Sequence, residues 1–123
     1  RIKLLKMKID NYIVDINDSL NVAIEKISLN GVRTVFVMNK KKLTGIVSEG
    51  DILRALVYKK KLESPVEKIM NKSFLYLKKL DYEKAKKIFI EHQTCVIPVV
   101  NKNMVLSNIL TLENFLKNYL WKS

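Results

Sequence analysis

The residues of this chain that could do chemistry are few, and the best organised of them fall in one short string. Ser48-Glu49-Gly50-Asp51 puts a hydroxyl three residues ahead of a carboxylate, just before the apolar pair Ile52-Leu53. At the start of a helix, that spacing lets Ser48 accept a hydrogen bond from an orphan backbone N–H. A carboxylate there also suits the helix dipole. The same two groups can donate to and accept from a polar ligand. A second copy of the string, Thr111-Leu112-Glu113-Asn114, keeps the hydroxyl but carries an amide where the first has Asp51.

His92 and Cys95 are the only histidine and cysteine, three residues apart. Their spacing suggests a Cys–His nucleophile, but the local pattern favours a plainer reading. His92 falls near a helix C-terminus, where a partly cationic imidazole is favourable. Cys95 heads a buried strand as a small hydrophobe. One His and one Cys make no ordinary zinc site, and no Gly-rich phosphate loop of a known pattern is present. We therefore expect no catalytic residue, no metal and no required cofactor. A single cysteine excludes an intrachain disulfide and fits a reducing compartment, the cytoplasm.

Length and charge narrow the partners. The 123 residues allow one compact domain, or two half-size units sharing a core. Apolar residues make up 48% and charged residues 28%, a globular balance. No apolar run reaches the roughly 20 residues of a membrane helix. At the N-terminus Arg1, Lys3, Lys6 and Lys8 alternate with apolar residues, unlike a signal peptide. The absence of an initial Met suggests a processed piece or an expressed fragment of something longer. The net charge of +11 permits an anionic partner without demanding one. Lys40-Lys41-Lys42 and Lys59-Lys60-Lys61 are basic clusters, but aromatics are only 8% and are not interleaved with them. Only Arg1, Arg33 and Arg54 are arginine. Nucleic-acid surfaces draw on stacking aromatics and arginine base readers, so the clusters read as solvated surface.

The elements that must position Ser48 and Asp51 emerge from an internal repeat. Ser19–Ile27 matches Asp81–Phe89, Phe36–Asn39 matches Pro98–Asn101, and the Ser48 string matches the Thr111 string, at offsets of 62, 62 and 63 residues. Each half opens with a short extended piece, 12–15 or 74–77. Ser19 or Asp81 then serves as helix N-cap. The first helix shows apolar residues at Leu20, Ala23, Ile24 and Ile27, and the second at Tyr82, Ala85, Ile88 and Phe89. Asn30-Gly31 closes the first, because Gly tolerates a left-handed cap. A nearly all-apolar strand follows, 34–38 or 96–100, then a polar turn and a second strand, 43–47 or 105–110. A last helix closes each half: 51–58, with Ile52, Leu53 and Leu56 apolar, and 112–120. Pro65 sits in the connector, where Val66, Ile69 and Met70 suggest a short amphipathic turn. The repeat unit is β-α-β-β-α. One unit of about 60 residues is marginal alone, so two should pack sheet against sheet and leave a cleft between them.

Leu43-Thr44-Gly45-Ile46-Val47-Ser48-Glu49-Gly50-Asp51-Ile52-Leu53 resembles the signature that closes a CBS motif: Gly, an apolar pair, Ser or Thr, two variable residues, Asp. Pro98-Val99-Val100 and the connector 66–70 are similar to that family as well. The resemblance runs from Ile9 to Leu116 and points to a tandem CBS pair, or Bateman module. It implies an α/β (α+β) fold of two β-α-β-β-α repeats with pseudo-two-fold symmetry and sheets packed face to face. Residues 1–62 form the first repeat with an N-terminal segment, and 63–123 the connector and second repeat, together one module.

The resemblance also implies a non-catalytic regulatory module that binds an adenosine-containing ligand in the inter-repeat cleft. AMP, ADP, ATP and S-adenosylmethionine are the candidates. Such modules pair as homodimers and modulate an attached or associated enzyme. The form Ser-Glu-Gly-Asp-Ile-Leu-Arg-Ala-Leu is similar to modules attached to sugar nucleotidyltransferases and sugar-phosphate isomerases. On this reading Asp51 accepts both ribose hydroxyls in charge-assisted hydrogen bonds. Ser48 donates to a phosphate or ribose oxygen, and Gly50 leaves the first helical turn open to phosphate. Gly45 lets another backbone or the ligand come close. Adenine lies against backbone near Ile13, Val14, Thr34 and Val35, and Arg54 meets phosphate. Thr111 and Asn114 make a degenerate second site, since a neutral amide cannot take both hydroxyls. Two alternatives stand beside this one. A ligand-free dimerisation or docking module is suggested by Asn114 and by Phe115, Leu116, Tyr119, Leu120 and Trp121. A nucleic-acid-binding module rests on charge alone.

Overall fold

The structure, a computed structural model, describes residues 9–120, the side chains of 119 and 120 excepted. The Tyr119, Leu120 and Trp121 side chains expected on the C-terminal apolar face lie outside the described residues. Contacts divide the chain into two compact units, Arg1–Phe74 and Leu75–Ser123.

The first unit runs β1 (Ile13–Asp15), α1 (Leu20–Asn30), β2 (Thr34–Asn39), β3 (Lys42–Ser48), α2 (Glu49–Val57) and a 3-10 turn at Val66–Lys68. Strand β1 pairs parallel with β2, setting Ile13 opposite Phe36. Strand β3 returns antiparallel, with Thr34 opposite Ser48 and Asn39 opposite Lys42. The strand order is β1-β2-β3. The Ser19 hydroxyl accepts from the Val22 N–H at 3.4 Å to start α1, and Gly31, at φ 73°, closes it. Leu20, Ala23 and Ile27 are buried with Val35, Val37 and Val47 of the sheet, as the helical spacing implies.

The connector belongs to this unit. The Leu20 and Asn21 N–H groups donate to the Ser64 and Leu62 carbonyls at 2.9 and 3.1 Å. Asn71 then pairs with Ile46 through two backbone hydrogen bonds of 2.8 and 3.0 Å, which covers the outer edge of β3. The sequence repeat divides at 62/63, whereas the packing unit continues to Phe74.

The second unit holds α3 (Tyr82–His92), β4 (Val96–Val100), β5 (Leu106–Thr111) and α4 (Leu112–Leu120). Asp81 caps α3 by accepting from the Lys84 N–H at 3.1 Å. Strands β4 and β5 pair antiparallel from Val96 opposite Thr111 to Val100 opposite Leu106. Phe115 packs against Phe89, ring centroids 5.1 Å apart, in the core with Leu77 and Ile97. It is therefore core.

Two expectations need correction. The extended piece 74–77 is a single parallel bridge, Leu77 opposite Val99. In the first unit the Phe36 N–H donates to the Tyr12 carbonyl at 2.7 Å. Pro98 stands in the place of Phe36 and has no N–H, so the ladder stops at the two bonds Leu77 makes. The last helix of the first half begins at Glu49 and not Asp51, and it buries Ile52 and Ala55. Leu53 is 63% exposed and Leu56 42%, because Ala55 turns the core-facing stripe one position away from them.

Candidate functional site

The sheet register of the first unit gathers the expected site residues at one end. The start of β1 carries Ile13 and Val14, the start of β2 carries Thr34 and Val35, and the end of β3 carries Ser48. The first turns of α2 add Gly50, Asp51 and Arg54. The Glu49 N–H donates to the Arg33 carbonyl at 3.0 Å, tying the start of α2 to the start of β2. Val14 and Val35 are buried, main chain included, whereas Ile13 and Thr34 beside them are half-buried.

Ser48 and Asp51 form a reciprocal capping box. The Ser48 hydroxyl accepts from the Asp51 N–H at 3.2 Å and donates to Asp51 Oδ2 at 3.0 Å. The Ser48 N–H donates to the same Oδ2 at 2.9 Å. The helix-start role is thus fully occupied, and the Ser48 proton is committed to Asp51. Both partners are needed: a lone Ser cap satisfies one orphan N–H, whereas the box satisfies two.

Asp51 Oδ1 points away from the box and accepts from Arg54 Nη2 at 2.7 Å. The Asp51 side chain is 17% exposed and that of Arg54 67%. A carboxylate offers about four lone-pair positions. Three are filled by Ser48 N–H, Ser48 Oγ and Arg54, so a diol reaches Asp51 fully only if Arg54 swings away. The space over Gly50 is also not empty: a Cβ there would lie 3.4 Å from Arg54 Nη1. The guanidinium lies back across the first turn, where phosphate was expected. Gly45 makes a close approach of the kind expected, to Met70 of the connector rather than to a ligand.

At the β1 end two side chains appear that the sequence pattern did not single out. Lys26 Nζ donates to the Ile13 carbonyl at 2.7 Å. Asn30 Nδ2 donates to the Asn11 and Thr34 carbonyls at 2.9 and 3.0 Å, while its Oδ1 accepts from the Val32 N–H at 2.8 Å. In sequence Lys26 reads as the polar face of α1, and Asn30 as half of a helix stop. The one available signal was the Asn-Gly pair, since an Asn at that place can bridge both sides of the turn.

The second unit repeats the site in reduced form. The Asn114 N–H donates to Thr111 Oγ1 at 3.1 Å, and the Leu112 N–H to the Cys95 carbonyl at 2.8 Å. Among the described residues no bond returns from the Asn114 side chain to residue 111, so only half of the box is made. His92 is exposed at the end of α3, and Cys95 is half-buried just ahead of β4. Among the described residues, no group of three His, Cys, Asp or Glu side chains could hold a metal ion. No described helix is long and apolar enough to cross a membrane.

A groove of about 350 Å³ runs between α1 and α2, lined by Ile24, Ile27, Ser28, Glu49, Ile52, Leu53 and Leu56. Its walls are nearly all apolar, and it lies apart from the Asp51 carboxylate in composition and chemistry.

The family of the CBS domain matches residues 3–58. Solved structures similar to the chain agree. The protein CBSX2 in complex with AMP is 25% identical, with a TM-score of 0.74 over 92% of this chain and 90% of that one. The CBS domain protein PAE2072 from Pyrobaculum aerophilum, also complexed with AMP, is 25% identical, with a TM-score of 0.69 over 83% and 80%. A CBS domain pair/ACT domain protein from Thermotoga maritima is 20% identical, with a TM-score of 0.75 over 89% and 88%. No curated protein matches the sequence.

Proposed function

The chain carries the fold of a CBS domain pair, with two β-α-β-β-α repeats, and from that premise we propose that it is a non-catalytic regulatory module for an adenine nucleotide. The observation that carries the reading is the Asp51 carboxylate. Its Oδ2 is locked into the capping box, while its Oδ1 is held only by a flexible, mostly exposed arginine. A carboxylate fixed in this way is pre-oriented to accept a ribose diol. Two of the similar structures hold AMP, which supports the same ligand class. The Thr111 and Asn114 copy lacks the carboxylate, so the ligand belongs to the first repeat. Binding would alter an attached or associated enzyme through differential affinity for its states. The form of the Ser48 to Leu56 string supports a sugar nucleotidyltransferase or sugar-phosphate isomerase as that enzyme.

Calorimetric titration with AMP, ADP, ATP, S-adenosylmethionine and NADH tests the reading. Saturable binding of at least one, lost in Asp51→Ala, is expected. No binding by the folded chain overturns it.

The apolar groove between α1 and α2 favours a second reading, a docking or homodimerisation module. Leu53 and Leu56 stand exposed beside it. The two readings are compatible, since the groove and the carboxylate use different residues.

A further inference from the structure

Two acceptors in the first repeat suit a nucleotide, and both are already occupied by cations of the chain itself. Asp51 Oδ1 takes Arg54 Nη2, and the Ile13 carbonyl takes Lys26 Nζ, each at 2.7 Å. The second contact is not explained by sheet pairing. Among the described residues β1 is the edge of its sheet and no strand flanks its outer side, toward which the Ile13 carbonyl faces. An edge carbonyl of this kind suits the amino group of a planar base, and Lys26, half-buried on α1, closes it.

We propose that Lys26 and Arg54 are internal occupants of the nucleotide site, released on binding, and that Arg54 makes the site select phosphorylated over unphosphorylated adenosine compounds. The inference rests on the nucleotide reading above. A ribose diol that takes Asp51 Oδ1 must break a charge-assisted hydrogen bond. Adenosine offers Arg54 nothing in return. AMP offers a phosphate, which a guanidinium binds in bidentate fashion. Lys26 acts differently, because its release burdens every ligand whose base uses Ile13. It therefore lowers affinity without changing the preference for phosphate. The guanidinium lies over Gly50 at ordinary contact distance, 3.4 Å from where a Cβ would stand, so it covers the first turn of α2 until it turns outward to a phosphate.

Titration of the full chain with AMP and with adenosine, for wild type, Lys26→Met and Arg54→Met, tests the inference. Both substitutions keep an aliphatic stem, and circular dichroism verifies the fold; Lys26→Gln replaces Lys26→Met if the latter fails to fold. Lys26→Met is expected to bind both ligands about tenfold more tightly, the scale of one charged hydrogen bond, with their ratio unchanged. Arg54→Met is expected to bind adenosine more tightly and AMP more weakly, so that the two converge. An AMP affinity unchanged in Lys26→Met, or an AMP-to-adenosine ratio unchanged in Arg54→Met, overturns the inference and leaves the nucleotide reading standing. Absence of AMP binding in wild type and both variants overturns the nucleotide reading as well.

Discussion

Met70 of the connector lies directly on Gly45 of β3, so close that a Cβ at residue 45 would come within 2.7 Å of its sulfur and 3.1 Å of its Cβ. Gly45 stands within the strand where Ile46 pairs with Asn71, so the missing side chain is what lets the connector close the sheet edge. The close approach expected at this glycine, by another backbone or by a ligand, is made by the Met70 side chain of the connector.

Gly45→Ala should therefore destabilise the protein by about 1–3 kcal/mol, since both the thioether and its stem must shift. Gly45→Ala combined with Met70→Ala should lose less than the sum of the two single changes, because the clash goes with the side chain that makes it. Urea unfolding of the four proteins measures both quantities.

Asn30 joins three backbone groups: the carbonyls of Asn11 and Thr34 and the N–H of Val32. Asn30→Ala should cost about 1–3 kcal/mol, more than the roughly 1 kcal/mol expected for the single Ser19 cap in Ser19→Ala. Asn30→Asp should be no better than Asn30→Ala, since it turns a carboxylate oxygen toward two carbonyls. Equilibrium denaturation ranks the three.

The β2–β3 hairpin turns through Lys40 and Lys41, at φ 50° and 71°. Two positive φ values in a two-residue loop call for Asn-Gly, and lysine is a poor occupant of both. Lys41→Gly in a Lys40→Asn background should raise stability by about 1 kcal/mol. A fall in the urea midpoint would show that the lysines hold a contact worth more than the backbone strain.

Asp51 has two duties, and Asp51→Asn separates them. An amide oxygen can still accept from Ser48, so the loss of stability should stay near 1 kcal/mol or below. It cannot bind a diol with charge assistance, so AMP affinity should fall at least about tenfold. Chemical denaturation and calorimetry on the same preparation give the two numbers.

Leu53 sits on the exposed rim of the α1–α2 groove. If the groove is the homodimer surface, the wild-type chain is a dimer in light scattering and Leu53→Glu shifts it toward monomer. Monomer stability should change by no more than about 0.5 kcal/mol, because the leucine contributes little to the core.

The β-α-β-β-α repeat was legible in sequence because its signals are local. Ser19, Asp81 and Ser48 cap helices within three residues of themselves, Gly31 ends α1 by its own φ, and Leu20, Ala23 and Ile27 mark a face by spacing alone. The fold class and the capping half of the Ser48–Asp51 pair followed from those patterns. Other features depend on groups far apart in the chain or on the geometry of pairing. Pro98 shortens the second sheet by withholding one N–H from a strand about 20 residues earlier. Ala55, not Leu53, meets the core, since helical phase against the sheet decides burial. Lys26 reaches Ile13 across 13 residues of sequence because α1 packs beside the edge of β1. Arg54 folds back from the next helical turn to fill Asp51 Oδ1 at 2.7 Å. Residue types alone thus determined that a hydroxyl and a carboxylate would share the start of one helix. Only the tertiary structure decided which lone pairs remain for anything else, because hydrogen bonds are directional and each acceptor is filled by whichever donor the fold brings within 3 Å.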